Sequence, residues 1–348
     1  MAQNSTIRSP VFRQSRTFAL RYGFVVIFVA VVAFFTIAAP RFFALNNFIS
    51  LLHAAAPLMV IAGGLAIVVL SGKLDISVGS TAFLTTSVGT LLMVRQGVSP
   101  LVTLSIILAI GILIGAVNGF IIVVLRVNSL ITTLGMMIGL RGISLELTKS
   151  TNIALPEGVR RLGNATIGPV FVDVLIALGL MLILHLLYTR TPFGRRVMAI
   201  GNDQETASRL GVRIGRITFF CFILSSLMAT IGGVMTVIQV GAVSGSIGSG
   251  LEFTAVSVIV IGGISLFGGE GSILPGALRG VLLLEIIRNG LNQIGADPYV
   301  YRFVNGAIIF AAMYADSLRS RVPIDPLKMV SEEPLPIPVV EGVSQSES

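Results

Sequence analysis

The chain has 348 residues, 54% hydrophobic and 11% charged, with 24 Lys and Arg against 16 Asp and Glu for a net charge of +8. A soluble globular domain carries roughly a quarter charged residues, and a mean hydropathy of +0.94 lies far from that range. The soluble-enzyme, nucleic-acid-binding and disordered readings therefore fail together. About ten bilayer crossings use roughly 200 residues, so the composition predicts an all-α, polytopic membrane helix bundle of about ten transmembrane helices.

The first element is a cytoplasmic N-terminal segment, residues 1–21, carrying Arg8, Arg13, Arg16 and Arg21. It leads into an apolar span, Tyr22–Ala39, too long for a usual signal-peptide core and followed by Pro40, which reads as an uncleaved anchor. Further spans are predicted at Leu51–Ser71, Val78–Val94, Leu101–Leu125, Ser129–Leu147, Val170–Tyr188 and Ile217–Val240. The last three are Leu251–Phe267, Ile273–Leu291 and Tyr299–Tyr314, closing a membrane domain over residues 22–316. Each is expected to be helical where it meets lipid, which cannot satisfy a bare backbone. The third and eighth are short and read as broken or tilted helices. Residues 317–348, rich in Pro, Ser and Glu, read as a disordered cytoplasmic tail. Cys221 is the one cysteine; it excludes an internal disulfide, reads as a buried thiol and leaves the redox compartment open.

Basic residues set the orientation. With both ends inside, fifteen Lys and Arg fall in inward segments against five outside (Arg41, Arg95, Lys149, Arg160 and Arg161). Both termini are therefore expected in the cytoplasm. The uncharged Gly241–Gly250 stretch becomes an outside loop able to move or to approach a partner closely.

Glycines recur every four residues at Gly111, Gly115 and Gly119, at Gly135 and Gly139, and at Gly276 and Gly280. Such rows let helix backbones touch, within a chain or across a dimer. Charged residues within spans are costly. Glu285 and Arg288 are three apart and can pair, which reads as a folding device; Arg141 and Glu146 each need another partner. His53 and His185 stand near span ends and form no metal-ligand pair. Gly72–Lys73 is followed by Leu74, where a phosphate-binding loop needs Ser or Thr for magnesium. An ATP-driven reading thus requires a separate ATPase subunit.

Residues 189–216 form the longest internal loop. Asn202 reads as the cap of a short helix with Glu205 at its third position, and Gly211 as its left-handed end. Ala207 and Leu210 would form a small apolar face. A two-turn helix is unstable alone, so it must dock against something.

At this loop the chain resembles the permease subunit of bacterial ATP-binding-cassette importers for monosaccharides, the ribose, xylose, arabinose and galactose group, related to branched-chain amino-acid permeases. Gly201–Val212 matches the group's G-N-N-P-E-A-A-R-L-S-G-I in its Gly, Asn, Glu, Ala and Gly positions. Asp75–Ser80 matches D-L-S-V-G-S, Gly262–Ser272 matches G-G-T-S-L-S-G-G-R-G-S, and Asn289–Asn292 matches N-G-L-N. Thr133–Gly135 with Arg141–Gly142 matches a T-L-G and R-G pair. Gln204, Thr206, Ser208, Lys73 and Leu74 depart from the pattern.

The resemblance implies a non-catalytic inner-membrane subunit with no cofactor and no metal. Its partners would be ABC ATPase subunits, a periplasmic sugar-binding protein, membrane lipid and a second permease copy or paralogue, with no nucleic acid. It makes the loop a coupling helix whose contact residues are Asn202, Glu205, Ala207, Arg209, Leu210 and Gly211. Asp75, Gly79 and Ser80 would form a structural motif capping a helix break. Asn118, Asn289 and Asn292 suit sugar hydroxyls along a mildly polar, non-ionic path, and equally suit hydrogen bonds between helices. An ion-driven carrier would need acidic relay residues and no coupling loop, and a membrane enzyme a catalytic constellation; the sequence offers neither.

Overall fold

The computed structural model describes residues 10–297 and then 299, 300, 303, 304, 306–308, 310, 311 and 314, with side chains from Phe24 onward. The predicted tail at 317–348 and residues 1–9 lie outside the described residues. Helix α1 (Pro10–Ala38) begins well before the predicted Tyr22, so Arg13, Arg16 and Arg21 lie on it. Pro10 suits a first helical position, and no later Pro or Gly interrupts the arginine-bearing stretch up to Arg21.

Then come α2 (Leu45–Leu70), α3 (Val78–Gln96), α4 (Pro100–Val123), α5 (Ser129–Thr148) and the single-turn α6 (Glu157–Arg160). The chain continues with α7 (Val172–Arg190), α8 (Pro192–Asn202), α9 (Gln204–Arg209), α10 (Ile214–Val240), α11 (Leu251–Ile261) and α12 (Leu278–Gln293). Among the described residues five helices, α2, α4, α5, α7 and α10, are long and apolar enough to cross a membrane; Phe24–Ala38 and α11 are shorter apolar stretches. The protein is a polytopic helical membrane protein. Its only departures from helix among the described residues are turns, irregular stretches and two short antiparallel pairs. Strand β1 (Ile153–Ala154) pairs with β4 (Ala242–Val243), and β2 (Thr166–Ile167) with β3 (Val170–Phe171).

The 26 residues of α2 span about 39 Å at 1.5 Å per residue. They are buried without a break from Ala55 to Leu70, as expected of a helix apolar on every side and sheathed by protein. Helices α7, α10, α11 and α12 surround it. Gly63 opens α2 to Met181 and Leu184 of α7, and Gly64 opens it to Met228 and Ser225 of α10. The row Gly111, Gly115 and Gly119 lies against Thr230, Ile223 and Phe219, so it serves packing of α4 on α10 within the chain. Gly280 meets Val258 of α11 in the same way, whereas Cβ atoms at Gly135 or Gly139 would meet nothing within 4 Å. Cys221 is buried and free.

Two predicted spans are interrupted. The eighth ends at Ile261, and Gly263, Gly268, Gly269 and Gly271 carry φ of 91°, 93°, 73° and 136° before the chain re-enters helix. The apolar Ile264, Leu266 and Phe267 made this stretch resemble a helix, but left-handed glycines end it. The ninth span starts as a π-turn over Ile273–Ala277, around Pro275, and straightens only in α12. Gly241–Gly250 is not a free loop: part of it is β4, Val243 and Ile247 are buried, and Gly248 rests on Gly79.

The break between α2 and α3 is closed by a polar knot. Asp75 is buried; its Oδ1 accepts from the Ser77 N–H at 3.0 Å and the Ser77 hydroxyl at 2.6 Å. Its Oδ2 accepts from Ser225 Oγ of α10 at 2.8 Å, and Asn118 Nδ2 of α4 donates to Ser77 Oγ at 3.0 Å. Gly79 packs between Gly248 and the Glu252 carboxylate, and Ser80 is fully buried. The α2–α3 break, α4 and α10 thus share one carboxylate-centred node. Asp75→Ala strands both serine hydroxyls and should cost about 1–3 kcal/mol, read as a lower Tm in detergent. Adding Ser225→Ala to that variant should cost little more, because the shared bond is already gone.

Candidate functional site

The predicted coupling loop folds as two helices rather than one. Thr191 caps α8, accepting from the Gly194 N–H at 3.4 Å and donating to the Leu187 carbonyl at 2.5 Å. Asn202 is the last residue of α8, and the cap of α9 is Asp203, one position later than the sequence pattern suggested. Asp203 Oδ1 accepts from the N–H groups of Glu205 and Thr206 at 2.9 and 3.2 Å, and Oδ2 accepts from the Thr206 hydroxyl at 2.6 Å. The Asp203 carboxylate satisfies the first turn, and Glu205 does not fold back but pairs with Arg209 at 2.6 Å. The Thr206 hydroxyl, followed by the two N–H groups, holds the Asp203 carboxyl below the usual carboxylate range. Gly211 ends the unit at φ 78°, as expected.

The two apolar residues of α9 part company. Ala207 is 1% exposed and belongs to the central core with Val197 and Ile200 of α8, whereas Leu210 is 77% exposed. The outer face available to a partner is therefore Leu210 with the Glu205–Arg209 pair, and Ala207 is a packing residue. Behind the loop, the backbones of Gly201, Gly72 and Gly268 touch, and the Gly269 N–H donates to the Leu70 carbonyl at 3.0 Å. The loop is thereby seated on the end of α2 and on the glycine-rich run that follows α11.

A cavity of about 730 Å³ opens among α2, α10, α11 and α12. Asn289 and Asn292 line it together with Gln239, Thr236, Ser249, Thr254, Glu285 and Arg288. The wall is mixed, with Leu51, Ala54, Pro57, Leu58, Val240 and Leu251 beside the polar groups, and it carries charge: Glu285 Oε1 pairs with Arg288 Nη1 at 3.1 Å, with Glu285 buried and Arg288 half exposed. The two asparagines differ. Asn289 exchanges hydrogen bonds with Asn47 at 2.9 and 3.0 Å and accepts one from Gln293 at 3.0 Å, so its amide is engaged. Asn292 has no side-chain partner among the described residues. Asn118 is not on this wall; it belongs to the Asp75 knot. Of the other charges in spans, Arg141 donates to the Gly245 carbonyl at 3.0 Å and lies 5.4 Å above the Phe83 ring, while Glu146 pairs with Lys149.

Sequence reasoning passed over a second cluster beside the cavity. His53 of α2, Asp173 of α7 and Gln239 of α10 meet, with His53 Nδ1 2.8 Å from Asp173 Oδ2. The available signal was three polar side chains in three apolar spans, all near the outward ends. Among the described residues no group of His, Cys, Asp or Glu is arranged to hold a metal.

The family described as branched-chain amino acid transport system / permease component matches residues 47–313. The chain belongs to this permease family. The ribose import permease of Escherichia coli K12 is 31% identical over 295 residues, 82% of this chain and 90% of that protein. A probable ABC transporter permease of the same strain is 32% identical over 299 residues, 85% and 89% of the two chains. Its galactose/methyl galactoside import permease is 28% identical over 325 residues, 87% and 96%. No solved structure matches the chain. The protein is thus a non-catalytic transport subunit, the membrane component of an ABC importer.

The exposed face of α9 generates a prediction. Leu210→Glu should reduce co-purification of the ATPase while leaving the amount of inserted permease unchanged. Asp203→Ala, which frays α9, should do the same, and Asp203→Ser, which keeps an N-cap oxygen, should recover most of the loss. The lowered carboxyl of Asp203 keeps the cap formed at neutral pH; it is lost only as pH falls through that lowered value.

Proposed function

We propose that this permease forms, with a second copy or a paralogue, the inner-membrane path for a neutral, polyhydroxylated solute of monosaccharide size handed over by a periplasmic binding protein. The observation that carries the reading is the cavity of about 730 Å³, whose polar side is formed by Gln239, Asn292, Thr236 and Thr254 and whose apolar side is formed by α2 residues such as Leu51 and Leu58. Its size suits a small solute, and its amides and hydroxyls offer bonds that replace water without the cost of stripping a full charge. The ribose and galactose relatives support the same class. Substrate-path residues in this reading are Asn292, with Asn289 setting the wall through Asn47 and Gln293. Asn118, Asp75, Gly79 and Ser80 keep the helices in place.

Cytoplasmic ATPase subunits would seat on α8 and α9 around Asn202, Glu205, Arg209, Leu210 and Gly211, and closure of two ATPases would be carried through the glycine contacts into α2 and α11. Ten spans with both ends cytoplasmic follow from the basic-residue bias. A second reading, a branched-chain-type amino acid, has one observation in its favour: Glu285 and Arg288 on the wall could face the ammonium and carboxylate of a zwitterion. That pair is closed on itself at 3.1 Å, which favours the neutral solute.

The test uses the assembled importer in proteoliposomes with D-ribose, D-galactose and L-leucine as probes. ATP-dependent uptake of a sugar, reduced several-fold by Asn292→Ala, is the expected outcome. Glu285→Gln should lower the amount of inserted protein, because Arg288 loses its partner, and leave uptake per folded molecule within about twofold. Normal insertion with uptake of leucine abolished by Glu285→Gln would overturn the sugar reading. A reporter fused after Arg321 should be active on the cytoplasmic side.

A further inference from the structure

Gln239 stands between the cavity and the His53–Asp173 pair. It lines the cavity, yet its amide nitrogen points away: Nε2 donates to Asp173 Oδ2 at 2.6 Å and to the His53 carbonyl at 2.7 Å. Both amide protons are consumed. The imidazole of His53 is itself fixed, with Nδ1 2.8 Å from Asp173 Oδ2 and the Phe171 ring stacked on it at 4.0 Å. Turning the Gln239 amide over would set its oxygen against a carboxylate and a carbonyl, both acceptors, so the partners dictate which way it faces. Gln239 Oε1 is left with no hydrogen-bond partner among the described residues, and it is not among the buried polar atoms. It is a free acceptor beside the cavity.

Holding helices together does not require this arrangement. Helix α10 already lies along α2 through Gly64 and Gly232, and His53 with Asp173 already ties α2 to α7. Asn289 is occupied by Asn47 and Gln293, so the wall has few free amide groups, and Gln239 is the one whose direction is locked from behind.

We propose, resting on the monosaccharide reading, that Gln239 is a specificity-determining residue whose Oε1 accepts a hydrogen bond from one solute hydroxyl, and that His53 and Asp173 are positioning residues that keep that oxygen turned to the cavity. A solute lacking the hydroxyl leaves the oxygen unpaired, which is how a polar wall rejects a close analogue. One hydrogen bond of this kind corresponds to roughly 3- to 10-fold in discrimination.

The experiment measures uptake of D-ribose, D-galactose and each of their single-deoxy analogues by the complete importer, with binding protein and ATPase unchanged. The binding protein's own preferences cancel when variants are compared with wild type. Gln239→Met should reduce discrimination against one deoxy position by 3- to 10-fold and leave the other positions unaltered. Asp173→Leu should lose the same discrimination at the same position, and Asp173→Asn, which still presents an acceptor to Nε2, should retain it. Inserted protein is quantified for each variant. If Gln239→Met lowers uptake of parent and analogues equally, or leaves every ratio unchanged, the proposal is overturned. Retention of full discrimination by Asp173→Leu overturns the positioning role. A wild-type importer that moves neither sugar overturns the monosaccharide reading, and this inference with it.

Discussion

Inside hydrocarbon no water is available for an unpaired N–H or C=O, and each one left bare costs several kcal/mol. Among the non-helical stretches within or beside the bundle are the turn from Ser71 to Ser77, the return through Gly241–Gly250, and the glycine-rich run from Gly262 to Ser272. All three are placed against protein. The Ser77 N–H is taken by Asp75, the Gly269 N–H by the Leu70 carbonyl, and the Leu155 N–H by the Gly241 carbonyl. The rest of the architecture follows from keeping these segments enclosed, which is why α2 is sheathed on every side and why α10 carries contacts to α2, α3 and α4.

The same enclosure joins the docking loop to the centre of the bundle. Ala207, Val197 and Ile200 belong to one continuous core with Leu70 and Ile264. Close-packed interiors transmit displacement rather than absorb it. That core adjoins the point where Gly72 after α2, Gly201 of α8 and Gly268 of the glycine-rich run meet. Helix α2 also forms part of the cavity wall, and a side chain at any of these glycines would prop the contact apart.

Two kinds of polar side chain stand out in the bundle, beside buried hydroxyls such as those of Ser80, Thr81 and Ser226 that have no partner among the described residues. The Asp75 carboxylate engages both of its oxygens within the chain, and Asn289 is likewise bonded through both amide atoms. Such groups fix helices. Gln239, Asn292 and Arg288 keep an atom or a face unengaged and border the cavity. The distinction is one of satisfied against available hydrogen-bonding capacity, and the identity of the residue does not reveal it.

Composition and apolar runs alone determined the membrane class, the long helices, the basic bias, the left-handed end at Gly211 and the pairing of Glu285 with Arg288, since each depends on local chemistry or on spacing along one helix. The motif matches at Asp75–Ser80 and Gly201–Val212 carried the family. Tertiary structure decided what those residues touch. It moved the α9 cap from Asn202 to Asp203, because Asn202 still belongs to α8 and Asp203 is the extended residue that precedes α9. It buried Ala207 and exposed Leu210, which share an apolar character but face opposite ways. It located the break in the eighth span, which reads as broken or tilted from its shortness, at Ile261, before the left-handed glycines. It withdrew Asn118 from the cavity and brought in Gln239, His53 and Asp173, separated in sequence by up to 186 positions. Hydrogen bonds between distant helices leave no periodicity in a sequence, so only the packed bundle shows which amide is spent and which is free.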